Sequence, residues 1–365
     1  MPWMPGTPTG QVEIPLFDLR LEPEDLEAVA ETLRSGRLAM GARTEQFETR
    51  FAEHLEARHA VAVSSCTAAL HLAYLSAGVG PGDEVIVPSF TFVATVAAVI
   101  YCGATPVFAD IVGLEDPSID PEAVESLITA RTRAVGVVHF AGYPVAIEAF
   151  ARLCDGHDLA LVEDAAHAPS ATVTGRKLGT FGLAGCFSLF SNKILSVGEG
   201  GLLVTDDDAV ALEARRMRSP DVGWNYRIDE PRSTLALSRL PRLEADIERR
   251  RELVRRYRSR LTELEGLTVP YRDEDVARSS CYVMPVMVDA RRRDDVQRVL
   301  REHGIQTSVL YPAVHEFSAY RARLPGISLP RTELAARSEL TLPLYPHMTE
   351  IDQDRVVEAL AASLA

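Results

Sequence analysis

Between about Ala60 and Arg218 the chain alternates short β-rich runs with amphipathic stretches, and this constrains the fold more than any other feature. Ala60-Val61-Ala62-Val63 precedes a helical segment from Thr67 to Ala77, which Gly78 stops. Glu84-Val85-Ile86-Val87 leads to a second helical segment, Phe92 to Tyr101. Further strands are read at Pro106–Ala109, Ala134–His139, Leu159–Glu163, Cys186–Phe190 and Leu202–Thr205, with helices near Pro121–Thr129 and Val145–Asp155. Such alternation predicts an α/β fold, a mostly parallel central sheet with helices on both faces. Ligands of such sheets gather at the carboxyl ends of the strands. Polar residues placed just after each strand are therefore the first candidates for chemistry.

The 365 residues exceed what one minimal core needs and suit a large domain with a smaller companion. A long helical pattern runs from Ser233 to Glu263, with Pro241 marking a kink or break. After it come a strand at Tyr282–Val288, a helix at Arg293–His303 and a last helix at Asp352–Leu364. The expected division is a loose tail at 1–12, a large domain at 13–245 and a smaller C-terminal α/β domain at 246–365.

The net charge of −14 argues against a nucleic-acid partner. The arginine-dense run Arg249 to Arg260 is interleaved with Glu244, Asp246, Glu248 and Glu252, so it reads as a solvated helix face. The longest apolar stretch, Val93 to Ala109, is broken by Gly103 and Pro106 and falls short of the roughly 20 residues that span a bilayer. The first ten residues lack the apolar core of a signal peptide. Five scattered cysteines, none paired at metal-ligand spacing, fit a reducing cytoplasm and no metal site.

Five segments near the strand ends carry polar groups. Ser64-Ser65-Cys66-Thr67 opens a helix, where free N–H groups and hydroxyls make either an anion site or a simple N-cap. Pro88-Ser89-Phe90-Thr91-Phe92 offers an aromatic for stacking on a flat heterocycle or for core packing. Glu163-Asp164-Ala165-Ala166-His167 ends an apolar strand; its carboxylate could keep a pyridine nitrogen protonated or cap a helix. Phe187-Ser188-Leu189-Phe190-Ser191-Asn192-Lys193 precedes Gly198-Glu199-Gly200-Gly201, and Lys193 is a Schiff-base former if buried or a surface charge if not. Gly223-Trp224-Asn225-Tyr226-Arg227 is an aromatic and polar loop.

In order and spacing these segments resemble the DegT/DnrJ/StrS family of sugar aminotransferases, which depend on pyridoxal 5′-phosphate (PLP). The resemblance runs from Ile14-Pro15 to Leu342-Pro343-Leu344-Tyr345-Pro346 and is densest from Gly80 to Phe92. It implies the PLP-dependent transferase fold type I. It also implies that Lys193 carries the cofactor and shuttles protons, that Asp164 pairs with the pyridine nitrogen, and that His167, where many relatives have Gln, lies near the 3-hydroxyl. By the same resemblance Ser188, Thr67 and the Ser65–Cys66 backbone hold phosphate, Phe92 stacks, and Tyr311 and His315 face the substrate. Asn225 is similar to an asparagine that reaches the neighbouring subunit's phosphate, which implies a homodimer with shared sites.

The implied reaction moves an amino group from an L-amino acid donor, glutamate by expectation, to a nucleotide-linked ketosugar. A cyclitol aminotransferase using glutamine is a close alternative. The dehydratase relatives carry His in place of the lysine, so Lys193 favours transamination. Two departures stand out: Cys66 replaces a usual glycine, and Leu183 stands where relatives commonly have Asp.

Overall fold

A computed structural model describes residues 12–364, so the expected tail at 1–12 lies, Val12 apart, outside the described residues. The alternating segments form strands β1 His59–Val63, β2 Glu84–Pro88, β3 Thr105–Ala109, β4 Thr132–Val138 and β5 Ala160–Asp164. A short hairpin follows, β6 Thr172–Val173 and β7 Arg176–Lys177, before β8 Ala184–Ser188 and β9 Gly201–Thr205. Seven of these build one sheet in the order β1-β9-β8-β5-β4-β2-β3. Its pairings are parallel except at β9, which runs antiparallel to both neighbours. The reason lies in the β8–β9 connection. It has no helix to carry the chain back across the sheet, so the strand returns beside β8.

Alternation along the strands divides two cores. Ala60 and Ala62 of β1, Leu161 of β5 and Leu202 and Val204 of β9 pack into one layer. Val61, Val63, Val162 and Leu203 pack into the other, under the helix Cys66–Ser76. That helix is buried along most of its length, from Ala68 to Tyr74, which is why it is apolar nearly all round.

Pro241 sits where expected. The helical pattern breaks there into Glu230–Arg239, a 3-10 turn at Leu240–Arg242 and a helix Leu243–Leu261. The expected division at 245/246 falls inside this last helix. Its Leu243 and Ile247 pack in the large-sheet core, whereas Leu253, Val254, Tyr257 and Leu261 pack with the C-terminal part. There β10 Leu267–Thr268, β11 Met284–Val288 and β12 Glu339–Leu342 form an antiparallel sheet in that order. Ile14 belongs to the same cluster, and the Glu13 N–H donates to the Gly304 carbonyl at 2.9 Å.

The arginine-dense helix is not simply a solvated face. Arg249, Arg251 and Arg255 pair with Glu252 and Glu248 at 2.8 to 3.2 Å, as helical spacing dictates. Arg250 and Arg258, two turns apart on the inner side, are buried instead. Arg250 donates to the carbonyls of Tyr282 and Leu344 at 3.1 and 3.2 Å, and Arg258 to those of Pro270 and Tyr271, both at 2.7 Å. They tie down loops whose carbonyls no strand satisfies.

Candidate active site

A cavity of about 250 Å³ opens at the carboxyl ends of β1, β2, β5 and β8. Ser65, Cys66, Thr67, Phe92, Asp164, His167, Ser188, Lys193 and Tyr311 all line it. Nine residues expected to act together from five separate segments are thus brought to one place.

The first wall is the start of the helix Cys66–Ser76. Ser65 caps it, its Oγ accepting from the Ala68 N–H at 3.1 Å, which leaves the N–H groups of the opening turn directed at the cavity. Gly201 brings β9 against this turn; a Cβ there would lie 2.5 Å from the Cys66 nitrogen. Cys66 does not have positive φ, so its position does not require the glycine it replaces.

The second wall is the end of β5, where two adjacent carboxylates point to opposite faces of the sheet. Glu163 accepts the backbone N–H groups of Gly179, Phe181 and Gly182 at 2.7 to 2.9 Å and contacts His139 Nε2 at 3.1 Å. It holds the turn before β8 and is saturated. Leu183, in that turn, packs its side chain against the core while its N–H donates to the Leu161 carbonyl at 2.8 Å. Asp164 faces the cavity, accepting from Thr95 Oγ1 at 2.7 Å and the Ala166 N–H at 3.2 Å. Burial raises its pKa against these hydrogen bonds and the Lys193 charge, so the carboxylate gains from any cation that enters.

The third wall is the β8–β9 loop. The Lys193 amine lies 4.3 Å from the centre of the Tyr282 ring. Burial lowers its pKa to about 8, opposed by the Asp164 and Cys66 charges, so a useful fraction is neutral near physiological pH. The sequence contains just one other lysine, Lys177, and its amine is 2.6 Å from Glu244, away from the cavity.

Two expected residues stand outside the cavity wall. His315 is buried with Nδ1 2.8 Å from Ser89 Oγ and Nε2 3.4 Å from Glu333, so its ring is engaged within its own chain. Asn225 is exposed in an αL turn, its Oδ1 accepting from Arg227 at 2.9 and 3.1 Å. Sequence reasoning missed Tyr282, which lies beneath Lys193 and stacks on His167 at 4.2 Å, and Thr95, which orients Asp164. It also missed Glu339. This fully buried carboxylate accepts the Leu310 N–H at 2.6 Å and so anchors the loop that carries Tyr311.

Burial pushes the Glu339 pKa up to about 7, although Thr341, Leu310 and Arg293 act against the shift. An acid whose pKa is raised by folding stabilises the fold below its unfolded pKa, and that contribution is lost as pH rises through the folded value. Glu339→Gln should therefore gain thermal stability relative to wild type as pH rises from 5 to 8, by up to about 1.4 kcal/mol for each pKa unit removed. Parallel melting curves across that range would argue against the shift.

Comparison with known proteins makes this α/β chain a PLP-dependent aminotransferase. The sequence model of the DegT/DnrJ/EryC1/StrS aminotransferase family matches residues 20–361, and the chain belongs to that family. The spore coat polysaccharide biosynthesis protein SpsC of Bacillus subtilis (strain 168) is 37% identical, the match covering 92% of this chain and 93% of that protein. The crystal structure of S. venezuelae DesV in complex with a ketimine intermediate superposes with a TM-score of 0.91 at 38% identity, covering 96% of this chain and 98% of the other. DesI, solved in the presence of its TDP-sugar product, gives a TM-score of 0.86 at 34% identity, covering 94% and 90%. Among the described residues no cluster of side chains could hold a metal ion, and no helix is long and apolar enough to cross a membrane.

Proposed function

We propose that this aminotransferase moves an amino group from L-glutamate to the keto group of a nucleotide-linked sugar. The observation that carries the reading is the enclosed Lys193 amine sharing one cavity with Asp164 and an open helix N-terminus. The likeness to DesI, solved in the presence of its TDP-sugar product, supports a nucleotide-linked acceptor.

The residues fit pyridoxal phosphate on the chain's own chemistry. A buried carboxylate forms no direct ion pair, His167 Nδ1 is buried without a partner, and a helix start with Thr67 and Ser188 offers an anion cradle. Bound there, the cofactor supplies an electrophilic carbonyl carbon and a ring that takes up carbanionic charge. Lys193 Nζ would hold it and, when free, would carry a proton between the substrate carbon and the cofactor's carbonyl carbon. Asp164 would keep the pyridine nitrogen protonated. Phe92 would pack on the ring, and Ser65, Cys66 and Thr67 would hold the phosphate with Ser188. Phe92 is partly exposed at the cavity, whereas Tyr311 lines it from a buried position.

Asn225, turned outward from its own cavity, reaches the phosphate of a second copy in a homodimer with shared sites. Mixing inactive Lys193→Ala and Asn225→Ala chains should restore activity, since one mixed-dimer site carries neither lesion. No rescue despite demonstrated subunit exchange would mean that each site is built from one chain. Five buried, unpaired cysteines suit the reducing cytoplasm as the place of work.

The test of the reaction runs in two halves. Glutamate added to the holoenzyme should bleach the visible band and release 2-oxoglutarate in amounts equal to the sites. A nucleotide ketosugar should then restore the band and leave an amino sugar detectable by mass spectrometry. A deoxygenated sugar, or a spectrum that no amino donor changes, would overturn the reading.

A further inference from the structure

Nδ1 of His167 is buried in the cavity wall and has no hydrogen-bond partner in the protein. The other ring nitrogen, Nε2, lies 2.7 Å from the Tyr311 hydroxyl. Tyr282 stacks on the imidazole at 4.2 Å, and the Tyr311 ring lies within 7° of its plane. A ring flip would exchange both nitrogens for carbons and break the Tyr311 bond, so this packing fixes which nitrogen Tyr311 engages and which is left without a partner. Tyr311 is itself held from below, because the Leu310 N–H is anchored on buried Glu339 at 2.6 Å.

A neutral imidazole carries one N–H, and the bond made by one nitrogen decides where it sits. If Nε2 kept the hydrogen, Nδ1 would be left as a buried bare lone pair with no donor to meet it. We propose that Tyr311 donates its O–H to Nε2 and so locks His167 as the Nδ1–H tautomer, a donor aimed at an oxygen anion of the cavity's occupant. On the function proposed above, that oxygen is the phenolic oxygen of pyridoxal phosphate. Tyr311 is then a positioning residue, whatever contact it also makes with substrate. Burial keeps both partners in the required state: it lowers the His167 pKa, with help from the Lys193 charge, and raises that of the Tyr311 phenol.

The direct test is a long-range ¹H–¹⁵N correlation spectrum of ¹⁵N-histidine-labelled holoprotein, with His167 assigned by its loss in His167→Gln. A protonated Nδ1 and a bare Nε2 from pH 6 to 9 is the expected pattern. The reverse pattern, or a doubly protonated ring, overturns the inference. Titration of the cofactor's visible band gives a second readout. Loss of a donor to the phenolic oxygen should raise the midpoint in Tyr311→Phe, a roughly three- to tenfold change in proton affinity. The same substitution should move nothing further once His167 is Phe; an equal shift in that background counts against the lock. Failure to bind pyridoxal phosphate would instead sink the proposed function, and the tautomer could still be read in the free protein.

Discussion

Lys193→Ala should bind pyridoxal phosphate and turn over at least about 10⁴-fold more slowly than wild type. Two separate losses combine in this variant: the covalent anchor goes, and so does the base placed to move protons. Burial in the cavity holds the amine's pKa near 8, so wild type keeps it available as a nucleophile near neutral pH. The noncovalent contacts survive, since the helix start at Cys66 and the Asp164 carboxylate lie on other elements. The check is unusually clean in this chain. Borohydride reduction of wild-type holoprotein should leave one phosphopyridoxyl group, on Lys193, and none in the variant. Lys177, the sole remaining lysine, is paired with Glu244 and lies apart from the site. An adduct on Lys177, or appreciable activity in Lys193→Ala, would place the chemistry elsewhere.

The parts of this protein legible in its sequence are those built from local rules. Strands of the central sheet show as apolar runs because β1 sends Ala60 and Ala62 to one core and Val61 and Val63 to the other. The break at Pro241 shows because proline has no N–H to give a helix. Asp164 and Lys193 stand out because one ends an apolar strand and the other comes shortly after one, where a sheet presents its ligands. What stays hidden depends on contacts between distant segments. Thr95 sits inside a helix, and its bond to Asp164 spans 69 residues. Glu339 opens β12, a strand the sequence pattern does not mark, and its bond to the Leu310 N–H spans 29 residues. Arg250 and Arg258 share a charged run with solvated neighbours, and only the helix's packing separates them. The pair Glu163 and Asp164 shows the boundary sharply. Any strand directs adjacent side chains to opposite faces, but composition does not say which face carries the chemistry.

Asp164→Asn should lower kcat by roughly 10²–10³-fold while leaving the free protein at least as stable as wild type. The two effects share one origin. Asp164 is buried beside hydrogen-bond donors too few to offset its desolvation, so its pKa lies above the ordinary carboxylate value. A raised carboxyl pKa means that charging the group costs folding free energy as pH climbs through the folded value. Asparagine removes that cost: its Oδ1 can accept from the Ala166 N–H while Nδ2 donates to Thr95 Oγ1, whose own hydrogen can turn to Thr91. The free variant should therefore melt at the same temperature or higher, with the difference widening as pH rises. With pyridoxal phosphate bound the order should reverse. A protonated pyridine nitrogen supplies the direct ion pair that the carboxylate lacks, and a neutral amide cannot hold that proton. Wild type should thus gain more in melting temperature from the cofactor than the variant does, in parallel with its faster turnover. Equal stabilisation by cofactor in both proteins, together with near-normal kcat, would show that Asp164 does not face the ring nitrogen.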